Sequence, residues 1–436
     1  MTTQFSENLL QSLTKSGLAR PMGSVSGVRG TLVYIKGDIV PHARMGQDVS
    51  LLSDMHRSTG KVVDIKEENI SVQLLAADRM IGIGARAVLE NRPCVFPSYA
   101  WLAHSVNARA EAMDGAPLQW GTEAVDLEQP YGKKPIPFAF DTQIETGFSV
   151  FNTVLPIALG QRVGIFSGPG VGKTTLLRGL LSEIKTDVII LCLVGERQRE
   201  VEEWRAALSS HQREKTLIVA SYSNASAYDR RQAAFTAMSL AEYFCDQGQQ
   251  VLYLCDSVTR MAEAHREMSA ELGELPVMRG YPASLVPKLT SLTERVGVRR
   301  SGGSITALFS VLVAGADMDE PVADIMRGIL DGHVVLSSEI AARGVYPAID
   351  ILRSLSRSAQ SVLDKSQNDL VMELRRILSI YEENKMMVQS GLYVAGRDPE
   401  LDRAIKIAPK IESFATRLDG QSVKMHFDAL YEILQT

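Results

Sequence analysis

An apolar run, Gln161-Arg-Val-Gly-Ile-Phe166, leads into Ser167-Gly-Pro-Gly-Val-Gly-Lys-Thr174 and then into Thr175-Leu-Leu-Arg-Gly-Leu-Leu181. Strand, glycine-rich turn and helix in that order make a phosphate-binding loop. The glycines let backbone N–H groups close around phosphate oxygens at a helix N-terminus. The Lys173 ammonium reaches β- and γ-phosphates, and the Thr174 hydroxyl can ligate Mg²⁺. Ser167 stands where the strict pattern has its first glycine; a small residue still permits the turn.

Two further strands end in carboxylates. Val251-Leu-Tyr-Leu-Cys255 ends in Asp256, the place from which an acid holds the magnesium shell of a nucleotide, although an Asp there also caps a following helix. Val188-Ile-Ile-Leu-Cys-Leu-Val194 ends in Gly195-Glu-Arg-Gln-Arg-Glu-Val-Glu-Glu203. Glu196 is the candidate for polarising a water that attacks a γ-phosphate, with Glu200, Glu202 and Glu203 as rivals at the start of the same helix.

These residues need a frame to hold them. The 436 residues carry 46 Lys+Arg against 51 Asp+Glu, a net charge of −5, and are 45% apolar. That excludes collagen-like, disordered and membrane-spanning classes and leaves room for two to four domains at about 150 residues each. An acidic chain exerts no general pull on phosphate backbones, so nucleic acid is not an expected partner. Cys94, Cys192, Cys245 and Cys255 are too far apart for a metal site or a disulfide framework, which predicts buried free thiols. The apolar runs Val188 to Val194 and Ile305 to Ala316 are shorter than a bilayer span, and residues 1–20 hold no secretory h-region. The expectation is a cytoplasmic protein, peripheral to a membrane at most.

Along the chain, residues 1–22 hold a short amphipathic stripe, Phe5, Leu9 and Leu13. Residues 23–92 alternate short β-rich runs with turns and predict a small β-barrel. Residues 93–147, rich in proline, predict a connector with some helix over Tyr99 to Ala112. From Phe148 to Ser356 apolar strands alternate with helices, the pattern of a mostly parallel sheet covered on both faces; 93–356 is thus the α/β nucleotide-binding domain. Residues 357–436 have helical spacing only and predict a C-terminal helical domain.

Gly160-Gln-Arg-Val-Gly-Ile-Phe166, Gly195-Glu-Arg197, Ala241-Glu-Tyr-Phe244, Asp256-Ser-Val-Thr-Arg260 and Pro347-Ala-Ile-Asp-Ile-Leu-Arg-Ser-Leu-Ser356, in this order, resemble the rotary-ATPase α/β superfamily. Within it, Thr259-Arg260, His265-Arg-Glu267, Gly273-Glu274, Arg279-Gly-Tyr-Pro-Ala-Ser-Leu-Val-Pro-Lys-Leu289 and Gly396-Arg-Asp-Pro-Glu-Leu-Asp-Arg-Ala-Ile405 resemble the ATPases of type III protein export, flagellar or injectisome. The resemblance implies a RecA-like P-loop core and a homohexamer that hydrolyses ATP with Mg²⁺. It also implies a barrel crown and a helical face toward a central stalk, regulatory proteins, chaperones and exported substrates, at the inner face of the cytoplasmic membrane. By the same resemblance Gly168, Pro169, Gly170, Val171, Gly172, Lys173, Thr174 and Thr175 bind phosphate, with Thr174 and Asp256 at the metal. Glu196 is the catalytic carboxylate, and Arg197 and Arg260 flank the phosphates. Tyr346 stacks on adenine, and Arg357 reaches into the neighbouring subunit's site.

Ser221-Tyr-Ser-Asn-Ala-Ser-Ala-Tyr-Asp-Arg230 keeps the family's arginine but lacks its usual Asp and Pro, and Met261-Ala-Glu263 is an unusual sequel to Thr-Arg. Intact Lys173, Glu196 and Asp256 weigh against a ring subunit that binds nucleotide without hydrolysis. Only Glu382-Glu383 approaches the acidic run of F-type catalytic subunits, which favours export over an F- or V-type rotary role. An RNA-translocating hexamer finds no basic-aromatic surface.

Overall fold

The computed structural model describes residues 20–53, 56–75, 81–90, 94–128, 135–136, 140–313 and 317–435. The Phe5, Leu9, Leu13 stripe lies outside them. The first unit is a barrel of β1 (Met22–Arg29), β2 (Leu32–Gly37), β3 (Asp48–Leu52), β4 (Arg57–Ile65), β5 (Ile70–Leu74) and β6 (Arg86–Leu89), closed in the order β1-β2-β5-β4-β3-β6. Inward residues alternate along each strand: Val33 and Ile35 on β2, Val49 and Leu51 on β3, Ile70 and Val72 on β5 pack into one core.

The second unit is a nine-stranded sheet. Its strands are β7 (Ser105–Val106), β8 (Arg162–Ser167), β9 (Val188–Glu196), β10 (Thr216–Tyr222), β11 (Gln250–Asp256), β12 (Ser304–Leu312), β13 (Gly332–Leu336) and β14 (Ile349–Ser356), in the order β14-β13-β8-β12-β11-β9-β10-β7, with Gly297–Val298 paired to β12. From β13 to β7 every pairing is parallel; β14 is the antiparallel edge. The central strands read as unbroken apolar runs because both faces are buried. Ile189, Leu191 and Leu193 of β9 enter the core shared with α1 (Lys173–Glu183) and α2 (Gln198–Ala207); Ile190, Cys192 and Val194 enter the core shared with α3 (Ala227–Asp246) and α4 (Val258–Glu271). A period of two thus feeds two cores from one strand.

The C-terminal helices are α5 (Lys365–Gln389), α6 (Pro399–Ala415) and α7 (Val423–Leu434). Their starts carry side-chain caps from Asp364, Asp398 and Ser422. Arg375 of α5 donates to the Ile351 and Ser354 carbonyls at 2.9 and 3.0 Å, which occupies carbonyls on the sheet's edge strand. Among the described residues no helix is long and apolar enough to cross a membrane.

Two expectations are corrected. Tyr99 to Ala112 is not helical beyond the 3-10 turn Tyr99–Trp101; the chain instead supplies β7 to the sheet edge. Asn107 accepts from the Arg109 and Glu111 amides at 2.9 and 3.0 Å, and Ala103 and Ala110 have φ of 70° and 60°, so side-chain bonding and left-handed residues displace the helix. Cys94 is exposed, while Cys192, Cys245 and Cys255 are buried and free as expected. In the short ladder Cys94–Val95, Val95 points inward and the strand period turns Cys94 out.

Barrel and sheet meet through charge. Lys61 of β4 donates to Asp48 Oδ1 at 2.7 Å, to the Gly46 carbonyl at 3.1 Å and to the Glu128 carboxylate, which also takes the Tyr228 hydroxyl of α3. At the far end of α4, Glu271 accepts from Thr31 and Gln73 of the barrel, each at 2.7 Å.

Candidate nucleotide site

β8 ends at Ser167, buried with a hydroxyl that has no partner among the described residues. The chain then turns through Gly170 and Gly172, whose φ values of 73° and 86° suit glycine. Gly172 caps α1 without a side chain, whereas α3 and α4 begin on the hydroxyls of Ser226 and Ser257. The first amides of α1 are therefore left for an anion. A side chain at Gly172 would also meet Tyr346: a Cβ there would lie 3.0 Å from the ring's Cδ1. Tyr346 is half exposed and stands against the loop, able to offer a ring face to a base.

Lys173 reaches across the strand ends. Its Nζ donates to the Asp256 carboxylate at the end of β11 and to Ser310 Oγ of β12 at 2.9 Å. Asp256 is 3% exposed, so the lysine neutralises a buried acid. Thr174 follows at the mouth of the loop and Thr175 is exposed beyond it. A hydroxyl and a carboxylate are the hard oxygen donors that Mg²⁺ takes, and among the described residues no group of three or more His, Cys, Asp and Glu could hold a metal alone. The donor set fits an ion whose remaining ligands are phosphate oxygens and water.

Glu196 ends β9, the strand beside β11, where Leu193 pairs with Asp256. Burial pushes its carboxyl up to about 8, helped by a hydrogen bond with Glu200 and by the charges of Asp256 and Glu200, with Lys173 opposing. Glu200, one helical turn on, is held low chiefly by that same bond. The two carboxyls influence each other in opposite directions, Glu196 toward its protonated form and Glu200 toward its charged form. Glu203 pairs outward with Arg199 at 2.9 Å, and Glu202 is exposed. Of the four acids, tertiary structure thus brings Glu196 and Glu200 to the cluster.

Gly195, with φ of 66°, lets two arginines approach the loop that holds Glu196: a Cβ there would lie 3.4 Å from Arg260 Cβ and 3.6 Å from Arg230 Cδ. Arg197 immediately precedes α2 at its N-cap position, exposed, and its charge helps to hold Glu200 low. Arg357 is not in this cluster. Ser356 pairs with Gly332 and Gly332 with Val163, at the start of β8, whereas the loop follows Ser167, which pairs with Leu336. Four residue steps of about 3.3 Å separate those ends, so Arg357 is at the far end of the sheet from its own chain's loop. There it is exposed, with its guanidinium 3.5 Å from the Arg327 carbonyl.

Sequence reasoning gave no role to Ser310, whose only signal is a hydroxyl inside the apolar run of β12. Arg230 was singled out by resemblance but left without a function.

Residues 147–356 match the ATP synthase alpha/beta family, nucleotide-binding domain, and residues 363–432 match the T3SS EscN ATPase C-terminal domain. A flagellum-specific ATP synthase of Treponema pallidum (strain Nichols) is 38% identical over 416 residues, covering 93% of this chain and 91% of the relative. The assembled ATPase EscN from the type III secretion system of enteropathogenic E. coli superposes with a TM-score of 0.88 at 31% identity, covering 94% of this chain and 100% of the other. EscN in complex with its central stalk EscO superposes with a TM-score of 0.85 at the same identity and coverage. With its barrel, P-loop sheet and helical C-terminus matched throughout, the chain belongs to the ATP synthase alpha/beta family, in the branch that holds the flagellum-specific and type III secretion ATPases.

Proposed function

We propose that this chain is the ATPase of a type III export apparatus, acting as a homohexamer at the inner face of the cytoplasmic membrane and using Mg²⁺-dependent ATP hydrolysis to help unfold or release exported proteins. The observation that carries the reading is Lys173, set between the uncapped glycine loop and the buried Asp256, one strand from the Glu196–Glu200 pair. Similarity to EscN bound to its stalk supports a stalk partner for the helical face; regulatory proteins, chaperones and substrates follow from the family resemblance.

The loop amides from Gly168 to Thr174 receive the phosphates. Lys173 exchanges Asp256 for β- and γ-oxygens. Thr174 and Asp256 would hold Mg²⁺, which when bound would neutralise charge on the transferring phosphoryl group. Tyr346 stacks on the base. Glu196, as a carboxylate, accepts a hydrogen bond from the attacking water and polarises it. With its carboxyl raised to about 8, Glu196 favours its protonated form near neutral pH, so turnover requires the state in which it has lost that proton. Arg197, Arg260 and Arg230 border the γ-phosphate. Arg357, remote from its own loop, serves the neighbour's site.

The test is hydrolysis of Mg·ATP by the purified full chain across a range of protein concentration. Specific activity should climb as rings assemble, because each site needs a neighbour's arginine. A constant specific activity through the assembly transition would reject the shared site.

A further inference from the structure

The two arginines nearest Gly195 are already engaged by carboxylates of α4. Arg260 Nη1 donates to Glu263 Oε2 at 3.1 Å. Arg230, from α3, donates through Nη2 to Glu267 Oε2 and through Nε to the Ala225 carbonyl at 3.2 Å. Glu263 and Glu267 are four residues apart and so share one face of the helix. That face borders a cleft of about 560 Å³ lined also by Arg266, Pro276 and Pro282. The Arg230 stem passes beside Gly195, while Glu267 takes its guanidinium. The arginine side chain is 18% exposed and its partner 51%.

A guanidinium cannot discharge by losing a proton, so a mostly buried one requires a counter-charge in every state of the site. We infer that Glu267 is a positioning residue that holds Arg230 off the phosphates while the site is empty and yields it to a γ-phosphate. This rests on the proposed reading of the site. Glu267 is suited to yield because it is half in water, where ion pairs are weak. A γ-phosphate offers more charge and several acceptor oxygens matched to the guanidinium fork. The carboxylate therefore competes with the γ-phosphate for one arginine and lowers affinity for triphosphate relative to diphosphate.

The experiment measures dissociation constants of the full chain for Mg·ADP and for Mg²⁺ with the non-hydrolysable triphosphate AMP-PNP, and takes their ratio as the triphosphate preference. Glu267→Gln should raise that preference about two- to fivefold. Glu267→Asp, which keeps the charge, should stay near wild type. Arg230→Ala should lower it, and Arg230→Ala/Glu267→Gln should match Arg230→Ala. If Arg230→Ala lowers the preference but Glu267→Gln, melting like wild type, does not raise it, the holding role is wrong and the site reading survives. A gain from Glu267→Gln that persists without Arg230 also overturns the inference. An unchanged preference in Arg230→Ala removes Arg230 from the γ-phosphate, and the inference falls with it.

Discussion

Lys173 and Lys61 have side chains of nearly equal burial, 12% and 11% exposed, and each pairs with an aspartate, Asp256 buried and Asp48 half-buried. An ammonium has three donors. Those of Lys61 are met by Asp48, Glu128 and the Gly46 carbonyl, with Tyr228 closing over the group at 5.5 Å. Those of Lys173 are met twice, by Asp256 and Ser310, and the backbone beside it is a glycine loop without a side-chain cap. One lysine is a fastener between barrel and sheet; the other has a donor left over among the described residues, beside a glycine loop whose amides could share an anion with it. Burial and charge pairing alone do not separate structure from function here. The donor count and the neighbouring backbone do.

That comparison breaks if the Lys173 site is complete in one chain. Arg357→Ala should lower turnover about 10³- to 10⁵-fold with Mg·ATP still bound. In rings proven to be mixed, combining it with Lys173→Ala should recover activity where an intact loop meets an intact arginine. Mixed rings no more active than the two variants apart would place Arg357 outside the neighbour's site or require every site to work at once; an inactive mixture of wild type with Lys173→Ala would identify the latter.

Lys173→Ala itself should weaken Mg·ATP binding about 10²- to 10⁴-fold, the loss of two charge-assisted hydrogen bonds at about 1.5–3 kcal/mol each, and end measurable hydrolysis. Titration with a fluorescent nucleotide checks it; near-normal affinity would make Lys173 a fastener like Lys61.

Lys61→Ala sharpens the other side. It leaves Asp48 and Glu128 facing each other without the cation that bridges them and should cost about 3 kcal/mol of stability, while turnover per folded ring stays within about twofold of wild type. Denaturant unfolding beside an activity assay separates the two. A loss of turnover with unchanged stability would give the barrel interface a catalytic role.

The smallest expected effect is in pH. The folded Glu196 carboxyl is raised to about 8, above its ordinary range, so the stability it contributes is present at acid pH and is lost as pH rises toward 8. Glu200, held low, works in the opposite sense at acid pH, where its stabilisation is lost. Glu196→Gln, which keeps an N–H in place of the carboxyl proton, should therefore gain melting temperature over wild type by more at about pH 8 than at about pH 5.5, and should bind Mg·ATP without turnover. Equal gains at both would mean that Glu196 does not titrate between them.

Much of this was legible in the chain. The glycine loop reads locally because strand, turn and helix are consecutive, and the apolar runs of β9 and β11 predict parallel strands because both faces must be buried. The segment Tyr99 to Ala112 misled because its departure from helix comes from Asn107 bonding nearby amides and from two alanines at positive φ, which the apolar spacing does not encode. Cys94 misled because a two-residue ladder decides which side faces out.

The sequence by itself determined the loop, the acids at two strand ends, the barrel and the helical C-terminus, since each depends on residues within a few positions of one another. Only tertiary structure selected Glu196 and Glu200 from four similar acids, gave Lys173 the Ser310 hydroxyl, set Arg230 between Gly195 and Glu267, and put Arg357 at the far end of its own sheet. Those choices depend on which strands lie side by side and in what register. Strand order is fixed by burying two apolar faces at once, a property of the whole chain rather than of any segment of it.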